Sequence, residues 1–260
     1  MLTVFQSLVL GIVEGATEFL PVSSTGHLVL ASSVLGVIQT DFVKTFEIAI
    51  QLGAILAVVA LYWKSFFDIK LVKKLIVAFI PTGIIGLALY HVLKTYLLGN
   101  EMAVLAALFT GGVILILFER WLGWTEDETR AVPVRALTYR QAFLVGLAQA
   151  VAIIPGVSRS GATIIGGLAL GIARTTIVEF SFLLAVPTMV AATGLSLYKG
   201  HALAFSTHEW AILGVGFFSA FLIALAAVRW LLTYVRRHSF TAFGVYRIVL
   251  SLVFFVYLFA

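Results

Sequence analysis

Two short segments carry most of the residues in this chain that could do chemistry. Glu14 and Glu18 stand four apart in an apolar stretch, so a helix puts both carboxylates on one face, where they repel unless a proton or cation lies between them. A divalent metal suits that position, because hard cations such as Mg2+ bind through one or two carboxylates and complete their shell with water and phosphate oxygens. A protonated glutamic acid bonded to a neighbouring helix is the simpler alternative. Just downstream, Pro21-Val22-Ser23-Ser24-Thr25-Gly26-His27 joins a helix breaker to hydroxyls and an imidazole at the start of a second apolar helix. The amides of a helix start and the hydroxyls before it form an anion site, with His27 near enough to act as base or nucleophile. Serine and threonine there would also serve as plain caps.

The second segment, Pro155-Gly156-Val157-Ser158-Arg159-Ser160-Gly161-Ala162-Thr163, has the same layout and adds a guanidinium. Flanked by apolar and small residues, Arg159 cannot easily snorkel to water, and its burial cost is recovered if it forks onto phosphate oxygens. An ion pair with Glu14 or Glu18 is the structural alternative. Carboxylates, hydroxyls, an imidazole and a guanidinium together are the kit for phosphoryl transfer by positioning and charge stabilisation.

These residues must be positioned by helices in a bilayer. Sixty-two per cent of the 260 residues are apolar and 11% charged, against roughly a quarter charged in soluble domains. Spanning segments must satisfy every backbone group internally, so an all-α polytopic membrane protein is expected. Six runs are long enough to cross: Phe46–Trp63, Leu75–Leu93, Met102–Phe118, Phe180–Tyr198, Trp210–Val228 and Phe240–Ala260. Two more, Met1–Ile38 and Ala142–Ile172, are interrupted by Pro, Gly, Ser and charge and read as re-entrant helix–loop–helix hairpins. All five tryptophans (Trp63, Trp121, Trp124, Trp210, Trp230) fall at run ends, where indole rings sit at the membrane interface. No cleaved signal peptide is expected, since the first apolar stretch lacks a basic leader and runs into Glu14. The chain has no cysteine, which excludes disulfides and thiolate metal sites.

Basic residues orient the chain. With one crossing per full span and none per hairpin, Lys64, Lys70, Lys73, Lys74, Arg120, Arg130, Arg135, Arg140, Arg174, Arg229, Arg236 and Arg237 share one side, opposite Lys44, Lys94 and Lys199. The positive-inside rule makes the first group cytoplasmic and both termini external. The net charge of +5 is accounted for by these loops, so no nucleic-acid partner is expected. Glu47 and Gln51 form a second pair four apart that could extend the polar site. Arg247, in the last span, is expected to pair or snorkel.

A shift of 135 residues aligns Gly11 with Gly146, Glu14 with Gln149 and Val22–Gly26 with Val157–Gly161. Each half, about 1–125 and 136–260 of a single membrane domain, then holds one hairpin and three spans. An odd number of crossings per half makes the copies antiparallel, an inverted repeat of the kind that gathers broken helices around a midplane site.

Glu14 to His27 and Pro155 to Thr163 together closely resemble the two signature motifs of the undecaprenyl-diphosphate phosphatase family, also known for bacitracin resistance, and length and span count agree. The resemblance implies removal of the terminal phosphate from undecaprenyl diphosphate, regenerating the carrier lipid of peptidoglycan and cell-envelope synthesis. It implies the bacterial inner membrane, with the site open to the periplasmic side. By motif position, Glu14, Glu18, Ser24, His27 and Arg159 match catalytic residues, with Mg2+ or Ca2+ on Glu14 and Glu18. Ser23, Thr25, Ser158, Ser160, Gly161 and Thr163 match phosphate-binding positions. Whether Ser24 or His27 attacks phosphorus stays open, and a homodimer is permitted without being specified. A flippase or secondary transporter is the alternative, since broken helices in inverted repeats also mark that class. An intramembrane serine protease fits less well, because Ser158 lacks a Gly-x-Ser-x-Gly elbow.

Overall fold

Long apolar runs in this chain become helices whose outer faces are as apolar as their inner ones. The computed structural model describes residues 2–97, 100–123, 132–199 and 205–259. Among these are ten α-helices and no strand: α1 (Val4–Thr17), α2 (Ser24–Val34), α3 (Asp41–Leu61), α4 (Ile69–Tyr96), α5 (Glu101–Leu122), α6 (Tyr139–Gln149), α7 (Arg159–Ala169), α8 (Arg174–Lys199), α9 (Thr207–Tyr234) and α10 (Thr241–Phe259). Six of them, α3, α4, α5, α8, α9 and α10, are long and apolar enough to cross a membrane. Ile84, Leu222 and Val253, each more than half exposed, would be costly in water and are at home against lipid. The protein is a multi-pass membrane protein.

The helices overrun the apolar stretches that mark them in sequence. α4 starts at Ile69, taking in Lys70, Lys73 and Lys74, and α9 runs to Tyr234, past Arg229. Lys70, Lys73 and Arg229 are exposed, while Lys74 is buried and donates to the Arg135 carbonyl; backbone hydrogen bonding continues past the apolar stretch, so hydropathy alone reads these helices short. Trp63, Trp121, Trp210 and Trp230 are exposed near helix ends. Trp124, Arg130 and His201 lie outside the described residues, as do the side chains of Lys94 and Lys199.

Each interrupted region is a pair of short helices. α1 and α2 have 14 and 11 residues, α6 and α7 have 11 each; at about 1.5 Å per residue none covers the ~30 Å hydrocarbon core. Pro21 and Pro155 cannot continue a helix. Gly156 has φ +92°, and a Cβ there would lie 2.6 Å from the Val104 carbonyl oxygen, so only glycine passes that turn.

Local devices recur 135 residues apart. Thr3 and Gln6 form a capping box on α1, as Thr138 and Gln141 do on α6. Ser23 accepts from the Gly26 amide and Ser158 from the Gly161 amide. Packing recurs too: α1 lies along α9, the fourth helix of the second set of five, while α6 lies along α4, the fourth of the first.

Both contacts need glycine. A Cβ on Gly11 would sit 2.5 Å from Gly216 O, and one on Gly146 would sit 1.7 Å from Ala78 O. Backbone cannot yield as a flexible side chain does, so Gly146→Ala is expected to destabilise by about 2–3 kcal/mol. Thermal unfolding in detergent checks this, with Gly194→Ala, which meets nothing within 4 Å, expected to stay close to the parent.

Candidate active site

The breaks after α1 and α6 meet. Leu20, in the first loop, offers its carbonyl oxygen to the hydroxyls of Ser160 (2.6 Å) and Ser158 (3.3 Å) in the second. Across this seam Arg159 donates from Nη2 to Glu18 Oε1 at 2.8 Å and from Nη1 to the Ser181 carbonyl of α8 at 3.0 Å. Its guanidinium carbon lies 5.7 Å from the centroid of Phe19. The ion pair is largely buried, with side-chain exposures of 12% and 5%. Glu18 uses its other oxygen, Oε2, to accept a short hydrogen bond from the Ser24 hydroxyl. One carboxylate therefore faces a hydroxyl on one side and a guanidinium on the other.

Ser24 opens α2 from a strained position. Ser23 before it has φ 70° and ψ 93°, and it is the one non-glycine residue of positive φ among the described residues. Such strain persists only where surrounding contacts over-determine it. Here they are the Ser23 hydroxyl accepting from Gly26 N–H and the Ser23 carbonyl accepting from His27.

A cavity of about 770 Å3 adjoins this constellation. Glu18, Ser23, Ser24, Thr25, Ser158 and Arg159 supply its polar end, together with Gln51 of α3. The rest of its wall is mostly apolar and includes Phe79, Ile80, Ile84 and Leu87 of α4 and Met189 and Leu195 of α8. Both helices carry an internal proline, Pro81 and Pro187, beside the residues that line the cavity. Gln149 ties its base together by donating to Thr82 Oγ1 (3.0 Å) and Thr188 Oγ1 (3.2 Å).

Several residues singled out in the sequence stand behind this wall rather than on it. Ser160 is bonded to Leu20, Gly161 donates its amide to the Ser158 hydroxyl, and Thr163 bonds to Ser181 at 2.6 Å. All three hold the second loop in shape. His27 points toward α10. Its Nδ1 is 2.8 Å from the Ser23 carbonyl, which can only accept, so Nδ1 carries the proton and Nε2 accepts from the Tyr246 hydroxyl at 2.7 Å. The two rings stack at 5.5 Å. Both ring nitrogens are engaged, and His27 does not line the cavity.

Glu14 is fully buried, and among the described residues neither carboxylate oxygen has a hydrogen-bond partner. It lies one helical turn from Glu18, whose amide donates to the Glu14 carbonyl at 2.9 Å. Two oxygens without donors, beside a second carboxylate, fit a cation or a shared proton. No group of three or more His, Asp or Glu side chains suited to a metal occurs among the described residues, so any ion here would complete its shell from water or a bound anion. Glu47 accepts from Gln39 at 3.3 Å.

Among the described residues no carboxylate pairs with Arg247, and its side chain does not snorkel. It is 3% exposed and donates to four backbone carbonyls. A charge in mid-span was the visible signal, but its acceptors are carbonyls that no sequence pattern marks. Gln149, Thr82 and Thr188 likewise come together only through the helix packing.

Six crossing helices around a sunken acid–hydroxyl–guanidinium cluster, continuous with an apolar cavity, define a membrane protein that handles an anionic head group attached to an apolar body. The chain belongs to the bacitracin resistance protein BacA family, whose model matches residues 7–253. It is 50% identical over 254 residues to an undecaprenyl-diphosphatase of Aquifex aeolicus, covering 97% of this chain and 98% of that one. Similar relatives of the same name occur in a Sulfurihydrogenibium species, at 48% over 98% of this chain and all of the relative, and in Wolinella succinogenes, at 49% over 98% of each.

Proposed function

We propose that this protein hydrolyses undecaprenyl diphosphate to undecaprenyl phosphate and inorganic phosphate. The observation that carries this reading is one carboxylate, Glu18, joined to both Ser24 and Arg159 at the polar end of a largely apolar cavity. The diphosphate lies against Arg159, Ser158 and the start of α2, and the polyprenyl chain follows the apolar wall between α4 and α8. An arriving diphosphate competes for the guanidinium, which frees Glu18 to act as base. Glu18 takes the Ser24 proton as Oγ bonds to the terminal phosphorus. The bond from that phosphorus to the bridging oxygen breaks, and undecaprenyl phosphate leaves with the electron pair. Water then attacks the phosphoserine phosphorus, Glu18 returns its proton to the departing Ser24 oxygen, and phosphate leaves carrying the protons of the water. In this reading His27 orients Ser23 and the start of α2. Glu14 and Glu18 would hold Mg2+ or Ca2+, which would neutralise head-group charge when bound.

The 135-residue recurrence of caps and packing supports reading residues 1–125 and 136–260 as an inverted repeat, with the short helix pairs as re-entrant hairpins in one membrane domain. The cavity uses residues 79–87, around the middle of α4, and 188–195, in the half of α8 away from Arg174, so it lies beyond Lys70, Lys73, Lys74 and Arg174 along both helices. With those cations on the cytoplasmic side of the inner membrane, the site opens toward the periplasm.

The test is inorganic phosphate release from undecaprenyl diphosphate by purified protein in detergent, with and without EDTA. One phosphate per lipid is expected, suppressed by EDTA and restored by Mg2+ or Ca2+. Turnover that persists in EDTA would assign the Glu14 and Glu18 pair to a shared proton. No phosphate from wild-type protein would overturn the hydrolase reading in favour of a transporter.

A further inference from the structure

The two loops that build the site share one tether. Arg247, in the middle of α10, donates from Nη1 to the Pro21 carbonyl of the first loop (3.3 Å) and from Nη2 to the Gly156 carbonyl of the second (3.1 Å). It also donates from Nη2 to Ala107 O (3.1 Å) and from Nε to Leu108 O (3.3 Å) of α5. Pro21 and Gly156 lie where the helices break, so these carbonyls have no helical partner, and an unsatisfied buried carbonyl is costly. Among the described residues no carboxylate pairs with Arg247. Room for it comes from Gly111, where a Cβ would stand 2.1 Å from Nη2.

We infer that Arg247 is a positioning residue for the hydrolysis: its fork clamps the Pro21 and Gly156 carbonyls to α5 and so sets the distance between Ser24 on one loop and Arg159 on the other. Pro21 is three residues before Ser24, and Gly156 three before Arg159. Two planar arms are required to reach carbonyls on separate loops at once. Lysine keeps the charge but offers a single ammonium on a flexible stem. The inference rests on the hydrolase reading, and geometry, more than charge, is the quantity it concerns.

Two variants disturb the clamp in different ways. Arg247→Lys keeps the cation and loses the fork, while Gly111→Ala keeps the arginine and pushes its guanidinium away from α5, with a residue that favours helix. Each is expected to lower kcat by about 100-fold with KM changed by less than about threefold, as misplacement of reacting groups does. The chain has no cysteine, so spin labels can be placed on Val34→Cys and Ile154→Cys, at exposed positions on α2 and just before Pro155. The distance distribution between them is expected to broaden in both clamp variants. Wild-type kcat per folded molecule, or an unchanged distance distribution, in either folded variant would overturn the inference. If wild-type protein releases no phosphate, the hydrolase reading fails, and the label distances still judge the clamp.

Discussion

Arg159→Ala is expected to lower phosphate release from undecaprenyl diphosphate by about 10³-fold or more, the cost of removing a preorganised charge-stabilising donor from a water-poor site. Arg159 stands at the polar end of the cavity, and its five N–H groups exceed the three hydrogen bonds it makes to Ser181 and Glu18, so donors remain for a phosphate oxygen. Removing it also strands Glu18 at 5% side-chain exposure. Breaking one side of a buried pair costs about 3–5 kcal/mol, so activity must be scaled to the folded fraction measured by thermal unfolding. Arg159→Lys keeps the charge without the fork and is expected to recover about tenfold over alanine. Turnover of folded Arg159→Ala near the wild-type rate would remove the guanidinium from the mechanism.

Ser24→Ala is expected to cost about 10⁴-fold in kcat, because without a nucleophile only positioning and charge stabilisation remain. His27→Gln is expected to cost about tenfold, since its side chain orients the α2 start without touching the reacting phosphorus. The contrast follows from hydrogen bonding: Ser24 Oγ already bonds Glu18 and lines the cavity, whereas His27 is closed between the Ser23 carbonyl and Tyr246. Trapping a phosphorylated enzyme and locating the phosphate checks this directly. Label on His27, or full activity in Ser24→Ala, would reverse the assignment.

Much of this was legible from the chain. Apolar runs, their breaks at Pro21 and Pro155, and the tryptophans at their ends follow from local composition, and the helices occupy those places. Glu18, Ser24 and Arg159 were visible because charge and hydroxyls are rare and costly inside apolar segments. Family membership follows from those same motifs and covers nearly the whole chain.

Helix ends were less legible, since hydropathy fades at Lys74 and Arg229 while backbone hydrogen bonding does not. The split among the motif residues was not legible at all. Ser24 and His27 are three apart in sequence, yet Ser24 lines the cavity against Glu18 while His27 turns to Tyr246 outside it. A loop's sequence carries no record of which way each side chain turns when a second loop closes on it.

The chain by itself determined which segments are apolar enough to enter a membrane and which polar residues lie within them, because the free energy of transfer into lipid is set residue by residue. Only the tertiary structure decided that Glu18 pairs with Arg159, that His27 turns to Tyr246, and that Arg247 spans both loops. Those are contacts between residues as far apart as 226 positions, and they depend on how glycine-lined helices such as α1 and α9 close together.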